Sequence, residues 1–99
     1  MIHCTYRRDK REIVIEGHAC YSFKGTDIVC SAVTALEYTL NAYIEKVRLT
    51  DNLPVENSMG DAKGVFSGCP ETDEVFEAIW NGLLLIANSY PKYCSCWVG

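Results

Sequence analysis

The sequence predicts an α+β domain: a small, mostly antiparallel sheet with two helices packed on one face, in the order β-β-α-β-β-α. Three observations lead there. Residues 2–7 alternate apolar and polar side chains, the period of a strand with one buried face. Two longer segments carry apolar residues three and four apart, the stripe of a helix that buries one side. The chain of 99 residues has no repeat, low-complexity segment or linker composition, so residues 1–99 are expected to form one domain. The simplest way to bury one strand face and two helix stripes together is to lay both helices on the same side of the sheet.

The first strand sets Ile2, Cys4 and Tyr6 on one side and His3, Thr5 and Arg7 on the other. Arg8-Asp9-Lys10 reads as a turn. Residues 11–16, Arg-Glu-Ile-Val-Ile-Glu, form a second β-rich run that pairs with the first as a hairpin. Gly17-His18-Ala19 ends that strand, and Cys20 to Gly25 is a loop. A helix is expected to start near Thr26 or Asp27, both good capping residues. Its stripe is Val29, Ala32, Val33, Leu36, Leu40, Tyr43, Ile44 and Val47, leaving Ser31, Thr34, Glu37, Asn41 and Glu45 to face outward. Val47-Arg48-Leu49 is expected to open a third strand, Thr50 to Met59 to form a loop, and Ala62 to Phe66 a further strand that Gly68-Cys69-Pro70 breaks. The second helix opens near Thr72, with Glu71, Asp73 and Glu74 at its positive end. Its stripe is Val75, Phe76, Ile79, Leu83, Ile86 and Ala87, and Tyr90-Pro91 stops it. Trp80 is expected to cap the core, and Cys94 to Gly99 to form an exposed tail carrying Trp97.

Composition narrows the function. The net charge of −4 repels nucleic acid unless a basic face is concentrated somewhere. Arg7, Arg8, Lys10 and Arg11 are the nearest approach, and Asp9 interrupts them in a solvated turn. Neither a secretory leader pattern nor a run long enough to cross a bilayer is visible, the longest apolar piece being Leu83 to Ala87. A cytoplasmic protein bound to neither membrane nor nucleic acid is expected. In a reducing compartment, six cysteines in so short a chain point to free thiols, metal ligands or catalysis rather than disulfides. Metal binding has only a weak signal, since His3, Cys4, His18, Cys20, Cys30, Cys69, Cys94 and Cys96 include no Cys-x-x-Cys pair. No metal and no cofactor is expected. A disulfide scaffold ranks last, because Cys94 and Cys96 stand too close in sequence to bridge easily.

Cys30 falls in the first turn of the predicted first helix. Unpaired amide N–H groups and the positive end of the helix dipole gather there, and both favour a thiolate, the nucleophilic form of cysteine. His18 ends a strand that lies beside that helix. An imidazole there is placed to take the thiol proton and return it to a leaving amine. Helix-terminal amides would hold the oxyanion, and Gly17 and Gly25 suit backbone approached closely by a peptide. The structural alternative is that Cys30 is a small buried hydrophobe beside Val29 and Val33, with His18 serving only the fold.

The stretch from Gly17-His18-Ala19 through Gly25-Thr26-Asp27-Ile28-Val29-Cys30-Ser31-Ala32-Val33-Thr34-Ala35-Leu36 closely resembles the signature of the Prp family of bacterial cysteine proteases. That signature is Gly-His-Ala, a short loop ending in Gly-x-Asp, then Ile-Val-Cys, a small residue, Ala-Val, Ser or Thr, and Ala-Leu. A looser likeness extends over most of the chain, to Tyr90-Pro91-Lys92-Tyr93. The resemblance implies a homodimeric cysteine endopeptidase that removes an N-terminal extension from a large-subunit ribosomal protein. It assigns the catalytic pair to Cys30 and His18. Asp27 also matches a family position, either orienting His18 or capping the helix, with capping preferred. Gly17, Gly25 and Ser31 are supporting positions. Cys20, Tyr21, Ser22, Phe23 and Lys24 form the expected substrate loop, a lid between the two catalytic residues. Cys20 and the ending Cys94-Ser95-Cys96-Trp97-Val98-Gly99 depart from the family pattern. A phage-type relative processing a scaffold or capsid protein, and a non-catalytic dimeric binding module with Trp80 and Trp97 as anchors, are the alternatives.

Overall fold

The structure, a computed structural model, describes residues 1–17, 28–60 and 62–99. Five strands and two helices follow in the order β1 (Ile2–Arg7), β2 (Glu12–Gly17), α1 (Ile28–Thr50), β3 (Glu56–Met59), β4 (Lys63–Ser67), α2 (Asp73–Ser89) and β5 (Cys94–Val98). A short 3₁₀ turn, Pro70–Thr72, leads into α2. The spatial order of the sheet is β3-β4-β2-β1-β5. Every neighbouring pair is antiparallel except β1 and β5, which run parallel. The α+β class and the mostly antiparallel sheet therefore agree with the sequence reading.

The alternation in β1 and β2 sorts side chains as expected. Ile2, Cys4, Tyr6, Ile13 and Ile15 are buried, while His3 and Glu16 are exposed. Phe66 of β4 joins the same apolar face. α1 packs over β3 and β4, α2 packs against β5, and the two helices touch each other. Val29, Val33, Leu40, Ile44 and Val47 fill the space from α1; Phe76, Ile79, Trp80, Leu83 and Ala87 fill it from α2. Trp80 does not cap the core. It is fully buried within it, its ring 5.4 Å from that of Tyr6. Its position four residues after Phe76 and three before Leu83 puts it in the middle of the stripe.

Three further differences have physical causes. Val47-Arg48-Leu49 continues α1 instead of opening a strand. Val47 lies three residues after Ile44 and extends the helical stripe, and the helix stops where Asn52 turns left-handed (φ 53°) and Leu53 N–H donates to the Val47 carbonyl. The left-handed residue and this return bond satisfy a terminal carbonyl and end the helix. β3 lies inside the segment read as a loop. Its side chains show no apolar alternation because it is an edge strand, tied to β4 on one side and to α1 through Asn57, which meets Asn41 and accepts from Arg48 at 2.8 Å. Thr34, Glu37 and Asn41, expected to face solvent, are half-buried against this region.

The third difference is β5. The predicted tail is a strand that lies beside β1, with Ile2 N–H donating to Tyr93 O (2.9 Å) and Gly99 N–H donating to Tyr6 O (2.9 Å) at its two ends. Cys94 is buried within it, and Trp97 remains 67 % exposed. The basic turn after β1 is exposed, as expected, and two of its arginines are paired. Arg8 makes two bonds to the Glu77 carboxylate (2.8 and 3.0 Å), and Arg11 bonds Asp73 at 2.9 Å. Both arginines therefore face carboxylates of α2.

Candidate active site

Cys30 is the third residue of α1 as described and is half-buried, flanked by the fully buried Val29. It opens onto a cleft of about 140 Å³. One wall is α1 itself, through Cys30, Thr34, Glu37 and Tyr38. The opposite wall is the β3–β4 connection, through Met59, Gly60, Ala62 and Lys63. Ile2, Ile15 and Val33 form its apolar floor, and Gly17 stands at the end of β2 on the same cleft.

Gly17 is there for a backbone reason. Its φ is +97°, a region that side chains disfavour, and a Cβ would stand 2.2 Å from the carbonyl oxygen of Met1. Its N–H donates to Ala62 O at 2.8 Å, closing the end of β2 against the chain entering β4. The strand end that carries Gly17 is thus held against the β3–β4 connection and Met1 by hydrogen bonding and by the absence of a side chain.

Glu37 is the charged group set deepest in the wall. Burial pushes its carboxyl above the ordinary range. Its carboxylate packs so close to Gly64 that a Cβ there would lie 2.3 Å from one oxygen. Lys63 and Tyr38, both exposed, stand at the rim. Ser31 is exposed and stands outside the described lining. His18, Cys20, Tyr21, Ser22, Phe23, Lys24, Gly25 and Asp27 lie outside the described residues.

Sequence reasoning placed Cys30 and Gly17 at one site, and the structure brings both to one cleft. It missed Thr34, Glu37 and Tyr38, although these follow Cys30 by four, seven and eight residues, the spacing of one helix face. Residues 59–63 carried no such signal, since only the β2–β4 pairing brings them near. Among the described residues, the side chains grouped to hold a metal are Cys4, Cys94 and Cys96, none of which lines the cleft.

A cysteine half-open to a cleft, at the start of a helix and beside a glycine-ended strand, suits nucleophilic attack on a bound peptide. The model of the family Cysteine protease Prp matches residues 1–95. The chain belongs to the Prp family of cysteine proteases. It is 34 % identical over 83 residues to the Ribosomal processing cysteine protease Prp of Mycoplasma genitalium, covering 82 % of this chain and 81 % of that protein. The fold of this Prp-family chain is shared with solved structures of lower identity. The Staphylococcus aureus ribosomal processing protease Prp, in complex with a covalently linked product peptide, superposes with a TM-score of 0.76 at 14 % identity, covering 99 % of this chain and 97 % of that one. SMU.848 from Streptococcus mutans gives a TM-score of 0.72 at 22 % identity, covering 99 % and 93 %.

Proposed function

We propose that the chain is a cysteine endopeptidase that uses Cys30 as nucleophile and His18 as its acid–base partner to remove the N-terminal extension of a large-subunit ribosomal protein. The observation that carries this reading is that Cys30 and Gly17, the residue bonded to His18, line one cleft. Membership of the Prp family supplies the reaction class, and the relative, a ribosomal processing cysteine protease, supports a ribosomal substrate.

The chemistry follows from the residue types. The Cys30 thiolate attacks the scissile carbonyl; a C–S bond forms, and the carbonyl electrons move to oxygen. Amide N–H groups at the start of α1 stabilise that oxyanion. The tetrahedral intermediate collapses with cleavage of the C–N bond, and the His18 imidazolium gives its proton to the leaving amine. Water then gives a proton to His18 and attacks the thioester, releasing the new carboxylate and regenerating the thiolate. Asp27 caps the helix or orients His18. Gly25 and Ser31 support the site, and the segment Cys20, Tyr21, Ser22, Phe23 and Lys24 closes over the peptide. No cofactor takes part in this scheme.

The active species in this reading is a cytoplasmic homodimer formed by a single domain. Exposed Leu49, Leu85 and Trp97 offer apolar surface for an interface. No described helix is long and apolar enough to cross a membrane. Purified wild type, Cys30→Ala and His18→Ala proteins, each incubated under reducing conditions with the ribosomal precursor of the same organism and followed by intact mass, test the proposal. Loss of one defined N-terminal peptide with wild type alone is expected. An intact precursor after prolonged incubation with a dimeric, folded wild-type protein contradicts the assigned substrate.

A further inference from the structure

The three cysteines outside the cleft that the fold draws together are Cys4, Cys94 and Cys96. In the parallel β1–β5 ladder Cys4 is the register partner of Cys96, and Cys94 is the partner of Ile2, two residues back along each strand. The two-residue period sends all three side chains to one face of the sheet. Their Sγ atoms lie within 4.8 Å of one another. Cys4 is fully buried, Cys94 is buried to within 1 %, and Cys96 is half-buried, so the group reaches the surface at one corner. None of the three is in a disulfide.

From these positions we infer that Cys4, Cys94 and Cys96 form a three-thiolate site for a soft d¹⁰ metal ion of the zinc class, separate from the Cys30 cleft. The donor set decides the ion type. Sulfur is the only donor in the group, and soft thiolates select ions such as zinc over magnesium or calcium. Zinc–sulfur bonds are ~2.3 Å, which sets the sulfurs roughly 3.8–4.0 Å apart around a shared ion. The present triangle therefore needs at most about 1 Å of contraction, within reach of χ1 adjustments. Each sulfur still protonated releases its proton to solvent as the metal bond forms. The imidazole nearest in sequence, His3, is no fourth ligand. It lies on the opposite sheet face, where its Nδ1 bonds Ser95 Oγ at 3.0 Å. The fourth position falls to water or an external thiol at the Cys96 corner.

The sequence reading expected no metal because no Cys-x-x-Cys pair is present. The fold supplies the missing proximity by pairing residue 4 with residue 96. The strands that carry the ligands are already fixed, β1 by β2 on its other side and β5 by the hydrogen bonds at residues 2 and 99. A bound ion would clamp this edge strand to the sheet interior. The cluster shares no residue with the cleft, so the inference stands whether or not Cys30 is catalytic.

Cadmium(II) is the probe, because thiolate-to-cadmium charge transfer absorbs in the ultraviolet. Titration of the reduced, full-length protein is expected to saturate at one equivalent. Cys96→Ser and Cys94→Ser should each weaken binding at least tenfold, whereas Cys30→Ala and Cys69→Ser should keep the full band. Circular dichroism identifies any variant that fails to fold, and Cys96→Ser, at the half-buried position, is the primary variant for that reason. Absence of a one-equivalent band, its persistence in both Cys94→Ser and Cys96→Ser, or its loss in Cys30→Ala would overturn the inference.

Discussion

Replacing Gly17 with alanine separates two roles that a glycine beside a nucleophile can play, keeping the backbone open to substrate and making the fold possible. The structure favours the second. At φ +97° an alanine carries strain of about 1–3 kcal/mol. Its Cβ also meets the Met1 carbonyl oxygen at 2.2 Å, which is backbone and has no rotamer to escape through. Met1 must move by roughly 1 Å, pulling on Ile2, whose N–H bonds Tyr93 O at 2.9 Å; a weakened bond there costs about 1 kcal/mol. Together the change should remove about 2–4 kcal/mol, a large part of the ~5–15 kcal/mol available to a domain of this size. Urea unfolding followed by fluorescence reads it directly, because Trp80 is fully buried and dominates the change. With a slope of ~1–3 kcal/mol per M, the midpoint should fall by roughly 0.7–4 M. Cleavage measured well below that midpoint should stay near wild type. An unchanged midpoint with lost cleavage would instead make Gly17 a substrate-access residue.

Other positions give independent tests. Asn52 holds φ 53° at the end of α1; Asn52→Gly should change stability by less than about 1 kcal/mol, whereas Asn52→Val should cost about 1–2 kcal/mol, both read by thermal melting. Glu37 has its carboxyl pushed up by burial, so its contribution to stability is fully present below the unfolded value and is lost as pH rises through the folded one. Glu37→Gln should therefore flatten the melting temperature across the window just above the ordinary glutamate range, and an unaltered pH profile contradicts the burial argument. Gly64→Ala places a Cβ 3.0 Å from the Phe66 ring as well as against Glu37, and should destabilise by about 1–3 kcal/mol. Cys69→Ser and Cys96→Ser should leave the cleavage rate of folded protein near wild type; loss of cleavage in either would place chemistry outside the Cys30 cleft.

Local signals carried the hairpin and both helices. The alternation Ile2, Cys4, Tyr6 and the stripe from Val29 to Val47 are enforced by burial of one face, which every two or three residues report. β5 gave no such report. Cys94-Ser95-Cys96-Trp97-Val98 is short, and its partner β1 lies at the other end of the chain, so nothing nearby in sequence reveals the pairing. Cysteines read there as a loose tail are in fact core and near-core. β3 was hidden for the opposite reason: an edge strand held by Asn57 and by β4 needs no apolar alternation. The end of α1 depended on a left-handed asparagine rather than on a change of periodicity. At the site, Cys30 and Gly17 were legible because helix start and strand end each leave a local mark. The β3–β4 wall of the cleft was not, because only sheet pairing brings it there.

Covalent catalysis by Cys30 is read by mixing the protein with excess precursor, quenching with acid within the first turnover, and measuring the intact mass of the protease. An adduct equal to the removed N-terminal peptide less one water is expected, mapping to Cys30 and absent from Cys30→Ala. An adduct on any other cysteine, or cleavage of the precursor by Cys30→Ala at the wild-type rate, would contradict it.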